Sequence, residues 1–252
     1  MSFAGAILDE VDFLAGQLVR PDFTRASFLK ANLDRTTMMH AKIDHTRFEG
    51  AAIHQLVLME TDLRTAIFTG TPLKNAVLLK SDLSGKDLSG MDLELTQFMN
   101  ANLAGTNFIG ANLTQCNFQG AIMDRAVMDA ARAQRVNFAE ARMLGVSLRS
   151  AHSPESLFCR AELVGTRLDD ANLEMAIFVH AKCEGASFSG ARLTYADFSN
   201  ADLTSADFSG ASMVRARLHR CTTKGPIFGP SKLLAFGDDD DLAAAEQWEP
   251  RL

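Results

Sequence analysis

The feature that most constrains this sequence is a large apolar residue at every fifth position, in a phase that never slips. The series begins at Phe3 and ends at Leu218, and 41 of its 44 positions are Leu, Phe, Ile or Met. The exceptions are Ala133, Ser153 and Cys183. A period of five matches neither an α-helix, with 3.6 residues per turn, nor a flat strand, with a period of two. The chain must therefore turn a corner every five residues and point one large side chain inward on each side.

A second position in the repeat sharpens this prediction. Two residues before each large residue the side chain is small, most often Ala, and the residue between them is often Asp or Asn, as in Ala31-Asn32-Leu33. This pattern resembles the A(D/N)LXX motif of the pentapeptide-repeat family. The resemblance implies an all-β fold, a right-handed quadrilateral β-helix in which four pentapeptides make one square coil of 20 residues. We therefore expect about 11 coils over residues 1–220, followed by a C-terminal tail over residues 221–252.

Residues 20 positions apart share preferences, as stacked coils require. Phenylalanine recurs without interruption in one column, which consists of Phe98, Phe118, Phe138, Phe158, Phe178 and Phe198. A second column on the opposite side contains Phe28, Phe48 and Phe68. Strand spacing of ~4.8 Å between coils favours such stacks of identical rings. The interior is then a column of large side chains walled by alanines, which leaves no room for a ligand and needs neither a metal nor a disulfide.

Besides Cys183, three positions break the pattern of the core. Ala133 and Ser153 share one column in adjacent coils, at positions where Leu is expected, so we expect a dent or bulge in that wall. Lys86 occupies a position that is otherwise filled by small residues. Its ammonium group either stays buried with a lowered pKa or, as we expect, extends to solvent through a distorted corner.

Outward positions on one side of the coils are apolar, although they should face water. On the side that carries the column from Phe98 to Phe198, these residues stack through the first five coils: Val19, Met39, Val57, Met59, Val77, Leu79 and Met99. We call this set the apolar stripe. Leu157, Ile177 and Val179 continue it weakly in later coils.

An exposed apolar stripe indicates a protein-binding face, and methionine suits an adaptable interface. The partner is then another protein of unknown identity or a second copy of the chain in a homodimer. Two alternatives remain open at this point. Either the chain's own C-terminal segment folds back over the stripe, or the register of the outward positions is misread.

Charge separates the functions that the family resemblance implies. Some members are DNA mimics, acidic rods that occupy the DNA-binding saddle of gyrase or topoisomerase IV, and others in bacteria are linked to secretion systems. Here residues 1–220 carry 22 Lys and Arg against 25 Asp and Glu, and the net charge of the chain is −6. A duplex mimic needs a field of one sign along its length. The balanced rod therefore favours a scaffold or adaptor for another protein.

Two alternatives follow that reading: a DNA mimic that binds gyrase or topoisomerase IV, and a secretion-associated adaptor or effector. Direct nucleic-acid binding is disfavoured by the acidic balance and the inward aromatic rings. The sequence also lacks catalytic, cofactor-binding and metal-binding motifs. Its six histidines fall on outward positions without metal-ligand spacing, and it has no nucleophile elbow or phosphate-binding loop. We therefore predict a non-enzymatic protein without a cofactor.

The cysteines follow the same repeat. Cys116, Cys183 and Cys221 fall on inward positions and read as small buried residues, whereas Cys159 faces outward. No Cys-x-x-Cys pair is present, so we expect free thiols. Without an apolar run of 18 residues or a signal peptide, the sequence predicts a cytoplasmic protein with no membrane span.

The two ends of a coil stack need covers, because they expose core side chains and strand edges. At the C-terminal end we expect a short helix near residues 241–248 and an apolar cap made by Leu233, Leu234, Phe236 and Trp248. The N-terminal coil has no comparable cover, which predicts an end-on dimer or a partner at that end.

Overall fold

Each five-residue repeat folds in the same way, with one bridging residue and one turn. The computed structural model describes residues 1–241 and residue 243. In most repeats the second residue forms a parallel bridge to the residue 20 positions later, from Ser2 with Asp22 to Asp202 with Thr222. The fourth and fifth residues form a turn. Four such sides make one coil, so the chain is a β-helix with a 20-residue register.

Longer strands form in only two places within the described residues. The five strands are β1 (Gln17–Val19), β2 (Thr37–Met39), β3 (Val57–Met59), β4 (Asp207–Phe208) and β5 (Ile227–Phe228). β1, β2 and β3 pair in parallel in that order, and β4 pairs in parallel with β5. A 3₁₀ helix follows at Pro230–Leu234.

The last residue of every repeat up to Gly225, except Thr65, has a left-handed backbone. φ lies between +51° and +70° at 44 such positions, of which 14 are glycine. The next residue closes a β-turn by donating its amide to the carbonyl of the large residue, as Ala26 does to Phe23 at 2.8 Å. A positive φ at the third residue is what a type II turn requires. This turn explains why glycine recurs at that position.

Polar residues of the motif are held by hydrogen bonds. Oδ1 of Asp82 accepts the amide N–H of Ser84 at 2.9 Å and the side-chain Nδ2–H of Asn102, one coil later, at 3.1 Å. Such Asx turns fasten the corner and the neighbouring coil together. At the small inward position, Thr96 Oγ1 donates to the carbonyl of Leu73 at 2.7 Å. Buried hydroxyls are therefore satisfied.

The core is a column of stacked rings with the predicted 20-residue spacing. From Phe98 to Phe198, successive ring centroids are 4.6–5.3 Å apart. The second predicted column, from Phe28 to Phe68, has spacings of 5.4 and 5.0 Å. Rings from opposite sides meet edge to face, as Phe178 and Phe188 do at 5.6 Å. The prediction of layered aromatics is confirmed.

The wall continues without a bulge at Ala133 and Ser153. Ala133 donates its amide to the carbonyl of His152 at 2.7 Å, and Ser153 donates its amide to that of Asn172 at 2.8 Å. The hydroxyls of Ser153 and Ser156 both contact the carbonyl of Ala133, at 3.2 and 2.8 Å. The buried serine is thus satisfied inside the core, and the expected distortion is absent from these residues.

The regular ladder of hydrogen bonds opens between residues 66–73 and 86–92, a region that we call the seam. In the part of the chain that the structure describes, the amides of Phe68, Gly70 and Asp87 have no hydrogen-bond partner. Lys86 is half-buried and donates from Nζ to the carbonyl of Ala66 at 2.5 Å. In a regular coil the Asp87 amide would donate its hydrogen bond to that carbonyl. Burial lowers the pKa of Lys86. The Lys86 side chain therefore lies between the coils, whereas we expected it to extend to solvent.

The tail continues the ladder past residue 220. The backbone of Phe236 bridges Arg217 in the last coil. The side chains that we expected to form an apolar cap point outward, and their exposed fractions are 89% for Leu233, 57% for Leu234 and 59% for Phe236. The cover is made by backbone pairing, because the short 3₁₀ helix projects its apolar side chains away from the core. Trp248 lies outside the described residues.

Two expectations about the ends stay predictions. Residues 240, 241 and 243 have helical backbone, and the remainder of the helix expected near 241–248 lies outside the described residues. In the first coil the inward residues Phe3, Leu8, Phe13 and Leu18 are only half-buried, whereas Phe23 in the next coil is fully buried.

The ring stack predicts a large and position-dependent loss of stability on truncation. Phe138→Ala removes a buried ring that stacks on both neighbours and should lower the free energy of unfolding by about 3–5 kcal/mol. Phe3→Ala is the matched control, because Phe3 is half-buried and stacks only on Phe23. Urea unfolding followed by circular dichroism measures both. Equal losses for the two variants would contradict the stack as the main stabilising element.

The seam predicts a stabilising substitution. Lys86→Ala removes a desolvated ammonium and lets the Asp87 amide bond to Ala66, so the free energy of unfolding at pH 7 should rise by about 1 kcal/mol. Because the pKa of Lys86 is lowered in the folded chain, the wild type gains stability as the pH rises toward the usual lysine pKa. The advantage of the variant should therefore shrink in alkaline buffer. Lys182→Ala is the exposed control, and a destabilised Lys86→Ala variant would refute this account.

Candidate protein-binding face

The structure brings all seven residues of the apolar stripe onto one side of the β-helix. β1, β2 and β3 align Val19 with Met39 and Met39 with Met59. Val57 bridges Val77. The column continues because Glu60 and Lys80 donate their amides to the carbonyls of Leu79 and Met99, both at 3.0 Å. The misreading of register that the sequence left open does not occur.

The stripe is accessible over its whole length. Val19 is 67% exposed, and the other six side chains are half-buried against one another. Within residues 221–241, the backbone of the tail pairs with residues 201–220 at the other end of the stack. The described part of the tail therefore does not fold back over the apolar stripe.

The same side carries a second apolar group in later coils. It consists of Leu157, Met175, Ile177, Val179 and Tyr195. Leu157, Met175 and Tyr195 are 38%, 50% and 46% exposed. We use the term stripe face for this whole side of the β-helix, from the turn before each central residue to the turn after it.

Met175 and Tyr195 were not found by reasoning from the sequence. Both occupy the last position of a repeat, where residue types vary most, so the column has no regular pattern. Reading every twentieth residue of that column places the single tyrosine of the chain beside the apolar group. The Tyr195 hydroxyl accepts a hydrogen bond from Arg215 at 2.8 Å. Tyrosine and arginine are residue types that often dominate binding energy at interfaces.

Charged residues line both edges of the stripe face. On one edge Glu60 pairs with His40 at 3.3 Å and with Lys80 at 3.5 Å. On the other edge Lys74 pairs with Glu94 at 2.7 Å, which raises the pKa of Lys74. An apolar centre with a polar rim is the usual composition of a protein interface.

The edge that carries Lys74 and Glu94 has a further ion pair in later coils. Arg135 donates from Nε to Glu155 at 2.8 Å, and this hydrogen bond holds the pKa of the Glu155 carboxyl below its usual range. Both side chains are about half exposed, so such pairs contribute little to stability. Their effect is to place fixed charges beside the apolar centre.

The described residues contain neither a metal-binding cluster nor a helix that could span a membrane. No cluster of His, Cys, Asp and Glu is arranged to hold a metal ion there. None of the helical segments in that part of the chain has the length and hydropathy of a membrane span. One histidine differs from its predicted outward position, because the tail buries His219 completely and the Asp239 amide donates to its Nδ1 at 3.1 Å.

The repeat geometry agrees with a direct comparison of sequences. A family model described as pentapeptide repeats matches eight copies, at residues 17–53, 80–115, 96–132, 111–152 and 181–220. The chain belongs to the pentapeptide-repeat family. The unmatched stretch 54–79 contains residues 66–73, which form one side of the seam. No curated protein shows significant sequence similarity to the chain.

Solved structures of the same repeat type are similar in sequence at a low level. HetL, a pentapeptide-repeat protein from the cyanobacterium Nostoc, is 21% identical, with 82% of this chain and 89% of that chain covered and a TM-score of 0.40. QnrB1, a plasmid-mediated fluoroquinolone resistance protein, is 18% identical, with 90% and 94% covered and a TM-score of 0.31. Rfr23 from the cyanobacterium Cyanothece is 17% identical, with 94% and 91% covered and a TM-score of 0.18.

The thiols provide a check on this surface. Cys159 is half-buried on the stripe face, while Cys116 and Cys183 are fully buried, and burial raises the pKa of all three. Burial also raises the pKa of Cys221 to about 12. With Ellman's reagent at pH 8, the folded chain should release about one equivalent slowly, and Cys159→Ser should abolish it. Four equivalents should react in denaturant. Fast reaction of a second thiol in the folded chain would contradict the assigned burial.

Proposed function

We propose that this pentapeptide-repeat protein is a non-enzymatic interaction module, a scaffold or adaptor that binds another protein through the apolar stripe. The supporting observation is the unbroken column of outward apolar side chains in the first five coils. The fold requires apolar residues only at inward positions, so these outward residues need another explanation. The cytoplasmic location predicted from the sequence belongs to the same proposal.

The filled interior supports a role at the surface. The stacked rings and the alanines of the walls are buried along the described coils. The hollows on the surface of the described residues are open to solvent, unlike the clefts with which enzymes enclose a substrate. What a rod of this shape offers is flat sides with a regular spacing between side chains. Binding of another macromolecule is the function that such sides can perform.

Charge favours this proposal over a DNA mimic. Many carboxylates are paired with a basic side chain one coil away, for example Glu162 with Lys182 at 2.8 Å and Asp169 with Arg149 at 3.1 Å. These pairs break the field of one sign that a mimic of duplex DNA would need. Binding to gyrase or topoisomerase IV therefore remains the alternative, and a secretion-associated adaptor is one of the forms that the proposal can take.

The test is a double substitution in the middle of the stripe. Met59→Asp with Leu79→Asp should abolish partner capture, because two carboxylates would be desolvated in the interface. Ile109→Asp with Ile122→Asp is the matched control, since these exposed apolar residues lie on other sides of the coil. Affinity capture with quantitative mass spectrometry, at low and high salt, measures the effect.

The outcomes separate the two functions. Capture that resists salt and is lost only in the stripe variant supports the proposed interaction module. Capture that is unchanged by the stripe substitutions overturns it. Inhibition of gyrase supercoiling that weakens with salt, and is equal in both variants, would support the DNA mimic instead.

A further inference from the structure

Charges on the two edges of the stripe face have opposite signs in three successive coils. The turn before the central residue carries Arg135, Glu155 and Glu174, and the turn after it carries Glu140, Arg160 and His180. Each residue of the first set therefore lies across the face from a residue of the opposite chemical type: Arg135 from Glu140, Glu155 from Arg160, and Glu174 from His180.

In these three coils one edge is paired within the chain and the other is not. Arg135 pairs with Glu155 at 2.8 Å, and Glu174 pairs with Arg192 at 3.2 Å. Within residues 1–241, the exposed side chains of Glu140, Arg160 and His180 make no ion pair. Unpaired charges beside an apolar centre are available to a partner whose charges are arranged in the complementary order.

We propose that the stripe face binds a second copy of this chain, related by a two-fold axis parallel to the stack of coils. The proposal rests on the proposed function, since it identifies the partner of the same face. With this symmetry each coil meets the same coil of the second copy. The turn before a side then lies opposite the turn after that side.

The pairing satisfies the free charges and buries the apolar centre. Glu140 lies opposite Arg135 of the second copy, and Arg160 lies opposite its Glu155. Residues at the centre of the face lie on the axis and meet their own copies: Val57, Val77, Leu157 and Ile177. Because each coil meets the same coil of the second copy, apolar coils contact apolar coils, and the polar coils between them contact polar coils.

Like charges lie opposite each other in the coil that contains Val77. There Lys74 lies opposite Lys80 of the second copy. Each lysine is already paired within its own chain, Lys74 with Glu94 at 2.7 Å and Lys80 with Glu60 at 3.5 Å. The repulsion between the two lysines is therefore offset by their glutamates.

Interface area favours use of the whole face. Nine coils at ~4.8 Å span roughly 43 Å, and a five-residue side at ~3.3 Å per residue is roughly 16 Å wide. Two such faces bury roughly 1,300–1,400 Å² in total, which lies within the range of stable interfaces. The apolar stripe alone, over five coils and three residues of width, buries only roughly 500 Å² and falls short. The second apolar group is thus needed for a stable complex.

The orientation of the axis can be tested by cross-linking at one position. Ile177→Cys, in a Cys159→Ser background, places one accessible thiol on the proposed axis. Mild oxidation should give a disulfide-linked dimer on a non-reducing gel. Ile122→Cys in the same background is the control on another side of the coil and should stay monomeric. Absence of the Ile177→Cys dimer, or equal cross-linking of the control, overturns the parallel arrangement.

The charge pairing can be tested by sedimentation velocity. Arg160→Glu should raise the dimer dissociation constant about tenfold, because it places two carboxylates in opposition. Glu155→Arg combined with Arg160→Glu should restore dimerisation. Arg125→Glu is the matched control, since Arg125 occupies the same turn position on another side, also with positive φ. No difference between Arg160→Glu and Arg125→Glu counts against the proposal.

The two proposals fail in different ways. A wild-type chain that sediments as a monomer at about 100 μM, above the dissociation constants expected for such an area, overturns the second copy as partner. Capture of another protein that is lost in the Met59→Asp, Leu79→Asp variant would leave the interaction module intact in that case. If the Met59→Asp, Leu79→Asp variant still dimerises and still captures its partner, both proposals are overturned.

Discussion

The left-handed turn that closes nearly every pentapeptide is the constraint on which the rest of the structure depends. A residue with positive φ at each fifth position sends the chain around a corner, so only three residues remain to form each side. One of these must bridge the next coil and two must point inward. Thirty of the 44 left-handed positions are not glycine, which means that the hydrogen bonds of the repeat hold a backbone conformation that most side chains disfavour. A slip of one residue would cost a turn, a bridge and a buried ring at once.

Much of this could be predicted because inward positions obey one rule. The ring stack from Phe98 to Phe198 and the alignment of Val19 with Met39 follow from counting in steps of 20. Three features could not be predicted because they depend on contacts outside the repeat. His219 occupies an outward position but is buried by the tail, and Leu233 has an apolar side chain that the 3₁₀ helix turns toward solvent. Lys86 bonds to a carbonyl of the preceding coil, and no sequence pattern distinguishes that geometry from extension to solvent.

The seam and the stripe face share a coil but not a side. The ladder is open at Phe68 and Gly70, whereas the bridging residues on the side that carries the apolar stripe remain bonded in the same coil. There Val77 donates its amide to Leu56 at 2.8 Å, and Leu78 donates its amide to Gln97 at 2.8 Å. The column of bridging residues on the stripe face therefore stays continuous past the seam. A substitution at the seam can change local stability without changing the spacing of the residues that we assign to binding.

That spacing limits what can bind along the face. Coils rise by ~4.8 Å, whereas an α-helix laid along them repeats every ~5.4 Å. The two repeats drift apart by ~0.6 Å per step and lose register after about four or five steps, so a helix can follow the apolar stripe but not the nine coils that reach Ile177. A second β-helix has the same rise and stays in register over its whole length. The opposite charges of Arg135 and Glu140, and of Glu155 and Arg160, recur with that same rise, which a self-associating face needs and a helical partner does not.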